Sequence, residues 1–381
     1  MSLFLISFFL IYGGIHLYTY LKIRSAMTTG PLASLLLIIF MVAMVLAPII
    51  VRVAERHSFD LAAHVFSWIG YVWMGVLFLF FSAAILFDLY RLFLWVGGWV
   101  TQKDLSYLVP SYRLSFYIPL IFSLVVCLYG YIEALNVRVE RVVLKSPKIP
   151  ESLGKVTVAQ ISDVHLGLII RQGRLARILE KVRESNPDVL ISTGDLVDGQ
   201  INQLKGLADM LGRIQPRFGK YAVTGNHEFY AGLEQAIAFT EKAGFTVLRG
   251  EGCAAGGVIN IAGVDDPAGL GFGRVRGGSE KELLSSLPQE KFTLFLKHRP
   301  LVDRDALGFF DLQVSGHTHN GQIFPFTLFI WMVYPEDSGL TQLGHSFLYV
   351  SRGTGTWGPP IRFLEPPEVT IYEIQHGVMS R

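Results

Sequence analysis

Five short polar clusters carry the residues of this sequence best suited to metal chemistry. They are Asp163-Val-His165, Gly194-Asp195, Gly225-Asn226-His227-Glu228, His298 and Gly316-His317-Thr-His319. An Asp-x-His triplet alone means little. The Gly-Asn-His-Glu and Gly-His-Thr-His tetrads are far rarer, and all five in order after strand-like runs are hard to attribute to chance. A pair of divalent cations about 3.5–4 Å apart needs a mixed oxygen and nitrogen shell with one shared carboxylate. Aspartate can bridge, and neutral imidazole and an Asn carbonyl oxygen fill the other positions without over-neutralising the pair. The glycines before Asp195, Asn226 and His317 permit tight turns and close backbone approach. A hydroxide held between such cations, its pKa lowered, can attack phosphorus in line.

These clusters need elements to position them. Val156–Ile161, Val189–Ser192, Lys220–Thr224, Phe292–Leu296, Leu312–Val314, Phe347–Val350 and Val369–Ile374 are short apolar or β-branched runs, and they predict strands. Leu175, Ile178, Leu179 and Val182 recur at helical spacing, as do Leu233, Ile237 and Phe239 less cleanly. Strand, helix, strand points to a layered α/β domain. In open α/β sheets, ligands gather beyond the carboxyl ends of strands, where these clusters lie.

From Val156 to Ile374 the five blocks resemble the calcineurin-like metallophosphoesterase superfamily, in its membrane-anchored bacterial phosphodiesterase-like branch. The resemblance implies an αββα two-sheet sandwich and a metal-dependent hydrolase of phosphodiester, phosphomonoester or pyrophosphate bonds. It implies that Asp163, His165 and His319 hold one divalent metal, that Asn226, His298 and His317 hold a second, and that Asp195 bridges them. His227 is then no ligand. It steadies the phosphate and protonates the leaving oxygen, with Glu228 orienting it. Mn, Fe, Zn and Ni are the metals this family uses, and the sequence does not choose among them. Every ligand position is filled, which argues against a degenerate, purely structural member.

The first 140 residues have a different solvent. Half of the chain is hydrophobic (51%), 17% is charged and the mean hydropathy is +0.41, the balance of a membrane protein or of a soluble domain carrying a membrane segment. Runs over 3–21, 31–51, 65–87 and 114–135 each approach or exceed the ~20 residues that cross a bilayer as helix. Residues 1–140 are therefore expected to form a multi-span α-helical region and 150–381 the catalytic domain. A cleaved signal peptide fits poorly, because the first run lacks a basic leader and three more spans follow. Leu89–Val100 either extends the third helix or lies along the interface. Asp88 and Arg91, three apart, are expected to pair. With four spans, Arg52, Arg56, Arg138, Arg141, Lys145 and Lys148 face Lys22, Arg24, Arg91, Lys103 and Arg113 across the cell membrane. Six against five leans toward a cytoplasmic catalytic domain. A net charge of +2 predicts no nucleic-acid partner, and Cys127 and Cys253 form no disulfide framework. Oligomeric state is left open.

The substrate leaves fainter marks. Phe324–Tyr334 is strongly apolar for a stretch beside a metal centre. It reads either as a buried short helix or as a lipid-facing lip in which Phe329 and Trp331 meet the bilayer or an acyl chain. The second reading suggests a lipid-linked phosphodiester or pyrophosphate, with membrane lipids as partners. Arg352 and Arg362 are candidate phosphate contacts or paired surface arginines. Asp198 either bonds within the site or turns its loop, and Asp265-Asp266-Pro267 reads as a turn leading into a mobile loop. The other function classes are a membrane sensor or scaffold that binds a phosphorylated ligand without turnover and, within enzymes, a protein phosphatase.

Overall fold

The computed structural model describes residues 2–199, 204–336 and 338–378. The chain divides into two compact units, Met1–Ile132 with Gly358–Ile361, and Glu133–Trp357 with Arg362–Arg381.

The first unit is built on α1 (Ser2–Ala26), α2 (Pro31–Arg56), α3 (Asp60–Thr101) and α4 (Leu114–Leu135). Among the described residues, these four helices are long and apolar enough to cross a membrane. Leu89–Val100 continues α3 without a break. Its 42 residues span about 63 Å at ~1.5 Å per residue, roughly twice the ~30 Å hydrocarbon core. A Cβ on Gly70 of α3 would meet that of Ala47 on α2 at 2.8 Å, the small-residue contact that lets membrane helices approach. The expected Asp88–Arg91 pair does not form. Asp88 takes Lys22 and the Tyr18 hydroxyl, both from α1, while Arg91 donates to the Pro110 carbonyl and to Ser115. A full charge and a phenol on a neighbouring helix satisfy the carboxylate better than a same-face i+3 partner.

The second unit holds two six-stranded mixed sheets. The first comprises β1 (Arg138–Ser146), β2 (Lys155–Ile161), β3 (Val189–Ser192), β4 (Lys220–Ala222), β5 (Thr246–Val247) and the last strand, β12 (Glu368–His376). Their order is β1-β12-β2-β3-β4-β5, with β2 to β5 parallel and β12 antiparallel to β2. The second comprises β6 (Glu251–Ala255), β7 (Ile259–Gly263), β8 (Phe292–Leu296), β9 (Leu312–Ser315), β10 (Gly339–Leu343) and β11 (Ser346–Val350), in the order β10-β11-β9-β8-β7-β6.

Alternation along the strands builds the layers. Val156, Val158, Val189 and Ile191 of the first sheet pack with Leu294, Leu296, Leu312 and Val314 of the second. Ala159 and Ile161, one residue out of phase, face outward onto Leu175, Ile178, Leu179 and Val182 of α5 (Gln172–Glu184), with α6 (Leu207–Gly212) and α8 (Leu233–Lys242) alongside. Phe295 does the same for the second sheet, against Leu284 of α9 (Glu280–Ser285). The result is the expected αββα sandwich. One bound differs. β1 pairs in parallel with β12 along its whole length, so the second unit begins at Glu133 rather than near residue 150. Arg138, Glu140, Arg141 and Lys145 give β1 the charged look of an exposed linker, which suits an edge strand.

Candidate metal centre

The metal-ligand clusters meet where β2, β3, β4, β8 and β9 end. The backbone there is unusual. Asp163 (φ 52°), His165 (53°), Asp195 (49°), His317 (71°) and His319 (48°) all adopt left-handed conformations. Asp and His tolerate this region better than most side chains, at a cost of order 1–3 kcal/mol each. Neighbouring strand ends hold it in place. Asp163 N–H donates to the Gly194 carbonyl at 3.1 Å, His165 N–H to that of Asp195 at 3.0 Å, and His317 N–H to the Asp163 carboxylate at 3.0 Å. Two glycines let these ends close up. A Cβ at Gly316 would collide with Ser162 Oγ and the Asp163 carboxylate, and one at Gly225 with the Asp195 side chain.

Ligand-type atoms gather in overlapping groups, Asp163–His165–His319 and Asp195–His298–His317 among them, and Asp195 also joins His165 and His227. Nε2 of His165 and of His319 lie 3.1 Å apart, and Asp195 Oδ2 is 3.9 Å from the former. On the other side, Asp195 Oδ2 lies 3.3 Å from His298 Nε2, which is 3.2 Å from both Asn226 Oδ1 and His317 Nδ1. His298 Nδ1 donates to the Thr193 carbonyl at 2.8 Å, which turns the lone pair of Nε2 inward. Lone pairs of nitrogen and oxygen therefore face one another across about 3 Å, and only a proton or a cation between them makes that stable. Burial works against charge on His298, yet Asp195 and Asp163 hold its proton up to about 10. Burial and the His298 charge push His317 down to about 3, leaving it a neutral donor. Two carboxylates, neutral imidazoles and an amide oxygen fit a borderline divalent cation.

His227 sits beside these groups, its ring centroid 4.7 Å from that of His165. Its Nδ1 donates to Asp198, 2.9 Å from the carbonyl oxygen and 3.1 Å from Oδ1. Its backbone N–H donates to Asp195 Oδ1 at 2.8 Å. Burial disfavours the imidazolium, but Asp195 and Asp198 outweigh it and raise the ring to about 10. Asp198, which could equally have been a loop-turning residue, is thus the group that orients His227. Glu228 is not. It lies at the third position of α7 (Asn226–Ala231) and folds back in a capping box, accepting from Gly225 N–H at 2.7 Å. It also accepts from the N–H groups of Asp195 and Leu196 at 3.0 and 2.8 Å. It ties the end of β3 to the start of α7 and so fixes the loop carrying Asp195.

The two arginines expected to contact phosphate are engaged elsewhere. Arg362 is fully buried and donates to the carbonyls of Gly355, Arg352 and His319, with Nη2 3.0 Å from His319 Nδ1. Arg352 forks between Glu140 and Glu368. Arg362 thus braces the loop behind His319, and Arg352 is held by two carboxylates. Phe329 and Trp331 lie on α10 (Thr327–Val333) and are 58% and 48% exposed, with Met332 at 81%, which removes the buried-helix reading. Asp265 and Asp266 are buried rather than part of a mobile turn. Arg249 forks onto the former and Arg299 onto the latter. Sequence reasoning missed Arg299, although it directly follows His298. It also missed the aromatic rim of Tyr230 and Trp357, whose rings lie 5.5 and 5.9 Å from that of His227.

A model of the family described as calcineurin-like phosphoesterase matches residues 156–321. The chain is 39% identical over 250 residues to an uncharacterized metallophosphoesterase of Aquifex aeolicus, covering 65% of this chain and 95% of that one. It is 33% identical over 264 residues to a transmembrane protein with metallophosphoesterase domain of Danio rerio, covering 66% of this chain and 60% of that one. A Bacillus subtilis metallophosphoesterase is 31% identical over 266 residues, covering 65% and 90%.

Proposed function

Because the chain belongs to the calcineurin-like metallophosphoesterase family, we propose that it is a membrane-anchored phosphoester hydrolase working with two divalent cations on a lipid-linked phosphodiester or pyrophosphate. The observation that carries this reading is Asp195, the carboxylate shared by donor groups on its two sides. Asp163, His165 and His319 would hold one cation, and Asn226, His298 and His317 the other. When bound, the pair would supply Lewis acidity toward the phosphoryl group and lower the pKa of water.

The remaining work falls to the protein. Asp198 keeps the Nδ1 proton of His227, so the Nε2 proton is the one offered to the leaving oxygen. Glu228 and the left-handed turns keep Asp195 in register without further adjustment, the preorganisation that positions charge before reaction. The exposed apolar side chains of α10 support an acyl or isoprenoid chain as part of the substrate. Four apolar helices in the same chain support the membrane as its source.

The test is hydrolysis of bis-p-nitrophenyl phosphate by the detergent-purified full chain, with and without Mn²⁺, beside Asp195→Asn. Turnover that needs metal and disappears in the variant is expected. A folded, metal-loaded protein that turns over neither this ester nor a phosphopeptide would instead favour a sensor that binds without hydrolysis.

A further inference from the structure

Arg299 follows a residue of the metal cluster directly, and its guanidinium is fixed from behind. Nε and Nη2 lie 2.8 and 3.1 Å from the two oxygens of Asp266. The Asp266 side chain is fully buried, whereas a quarter of the Arg299 side chain is exposed. Asp266 is itself anchored, since it caps the following 3-10 turn by accepting from Ala268 N–H at 2.7 Å. Nη1 of Arg299 has no hydrogen-bond partner among the described residues. The charge is felt by His317, by Tyr230 beside His227 and by Tyr334 beside His317. Arg299 adjoins His298 in the chain, and its charge acts within reach of the histidine cluster.

A fixed cation beside a site already built for cations weakens metal binding by repulsion. Asp266 offsets only part of that, and a neutral residue would offset all of it. The arrangement gains something when an anion is bound, either at the reacting phosphoryl group or at a second anionic group beside it. A single diester carries one negative charge, which the metal cluster can absorb. A second anionic group on the same substrate needs its own partner, and a guanidinium with one edge pinned and the other open provides planar donors at no further ordering cost.

We propose that Arg299, braced by Asp266, contacts a second anionic group of the substrate and so selects for substrates more highly charged than a simple diester. This rests on the hydrolase reading for its substrate but is measured by binding. The probes are diphenyl methylenediphosphonate, a dianion whose P–C–P bridge resists hydrolysis, and diphenyl phosphate, its monoanionic counterpart, with free phenol monitored to confirm that the ester bonds stay intact during titration. Both are titrated calorimetrically into the metal-loaded full chain in detergent and into Arg299→Gln, Arg299→Lys and Asp266→Asn, with metal content measured on each. Arg299→Gln should weaken the dianion at least tenfold and the monoanion threefold or less. Arg299→Lys, which keeps the charge but not the fork, should recover part of the loss, and Asp266→Asn should fall between. Equal weakening of both probes, loss of metal along with the arginine, or a wild-type chain that does not distinguish the probes would each overturn the assignment. If the wild type turns over no ester while Arg299→Gln still loses the dianion selectively, the hydrolase reading fails and the Arg299 assignment stands.

Discussion

His227 can give its Nε2 proton to a leaving group only while something else keeps its Nδ1 proton, and Asp198 does so with two oxygens. Replacing His227 with Gln should lower kcat by ~10²–10⁴-fold, the range for a lost general acid, while metal content measured by mass spectrometry stays unchanged. Loss of metal together with rate would show that His227 is a ligand instead. The metal site should also be pH-dependent. The folded value of about 10 for His298 lies above the 6.5 of a free imidazole. In the chelated protein its proton therefore stabilises the fold fully below pH ~6.5, and that contribution is lost as the pH rises through ~10. A cation must displace the same proton, so Mn²⁺ should bind more tightly at pH 8.5 than at 6.5, by up to about tenfold per unit. Calorimetric affinities that do not change across that window would mean the proton is not there. The candidate ligands could be picked out in the sequence because Asp, Asn and His cluster just after strand-like runs, and the structure brings those clusters together. The orientation of Arg352 and Arg362 could not be read, because a long side chain can turn toward the site or away from it, here onto the Glu140 and Glu368 carboxylates and into backbone carbonyls respectively.

At the scale of elements, α10 has six of its seven residues either intermediate or exposed, and Thr327 is the one that is buried. An apolar helix that buries one threonine and leaves most of its large side chains exposed makes sense as a surface for hydrocarbon. Replacing Phe329 and Trp331 together by Ser should raise KM for long-chain lipid substrates at least tenfold and leave bis-p-nitrophenyl phosphate within about twofold, since no metal ligand is touched. An equal effect on both substrates would make α10 a structural element. β2, β3, β4, β8, β9, β11 and β12 were legible because each is a short apolar or β-branched run. The edge strands β1, β5, β6 and β10 were not, since an edge needs only one partner and can be short, charged or glycine-bearing, and the inner strand β7 was hidden between Gly256-Gly257 and Gly263.

The whole molecule joins two solvents, and a count of six basic residues against five fixes its direction only weakly. The arrangement with the hydrolase unit in the cytoplasm is the expected one. Reporter fusions after Arg24, Arg56, Lys103 and Arg138 should place the second and fourth on the cytoplasmic side. The opposite pattern would put the chemistry outside the cytoplasm, with a different lipid pool within reach. The two-unit division could be read from composition alone, but the exact seam could not. The boundary at Glu133 falls inside α4, and β1 opens at Arg138 almost as soon as that helix ends, so there is no linker for composition to mark.

β12 lies between β1 and β2 and pairs with both, yet it is made long after either. At ~5–20 residues per second, the ribosome needs roughly 10–40 s to travel from the end of β2 to β12. Throughout that interval the membrane helices are already being inserted, and two strands with open edges wait beside them for a partner still being translated. The chain thus has a vulnerable period during its biosynthesis. Chaperone demand should peak after insertion rather than before it, and a premature stop anywhere ahead of β12 should yield a membrane-tethered, aggregation-prone fragment instead of a smaller working enzyme.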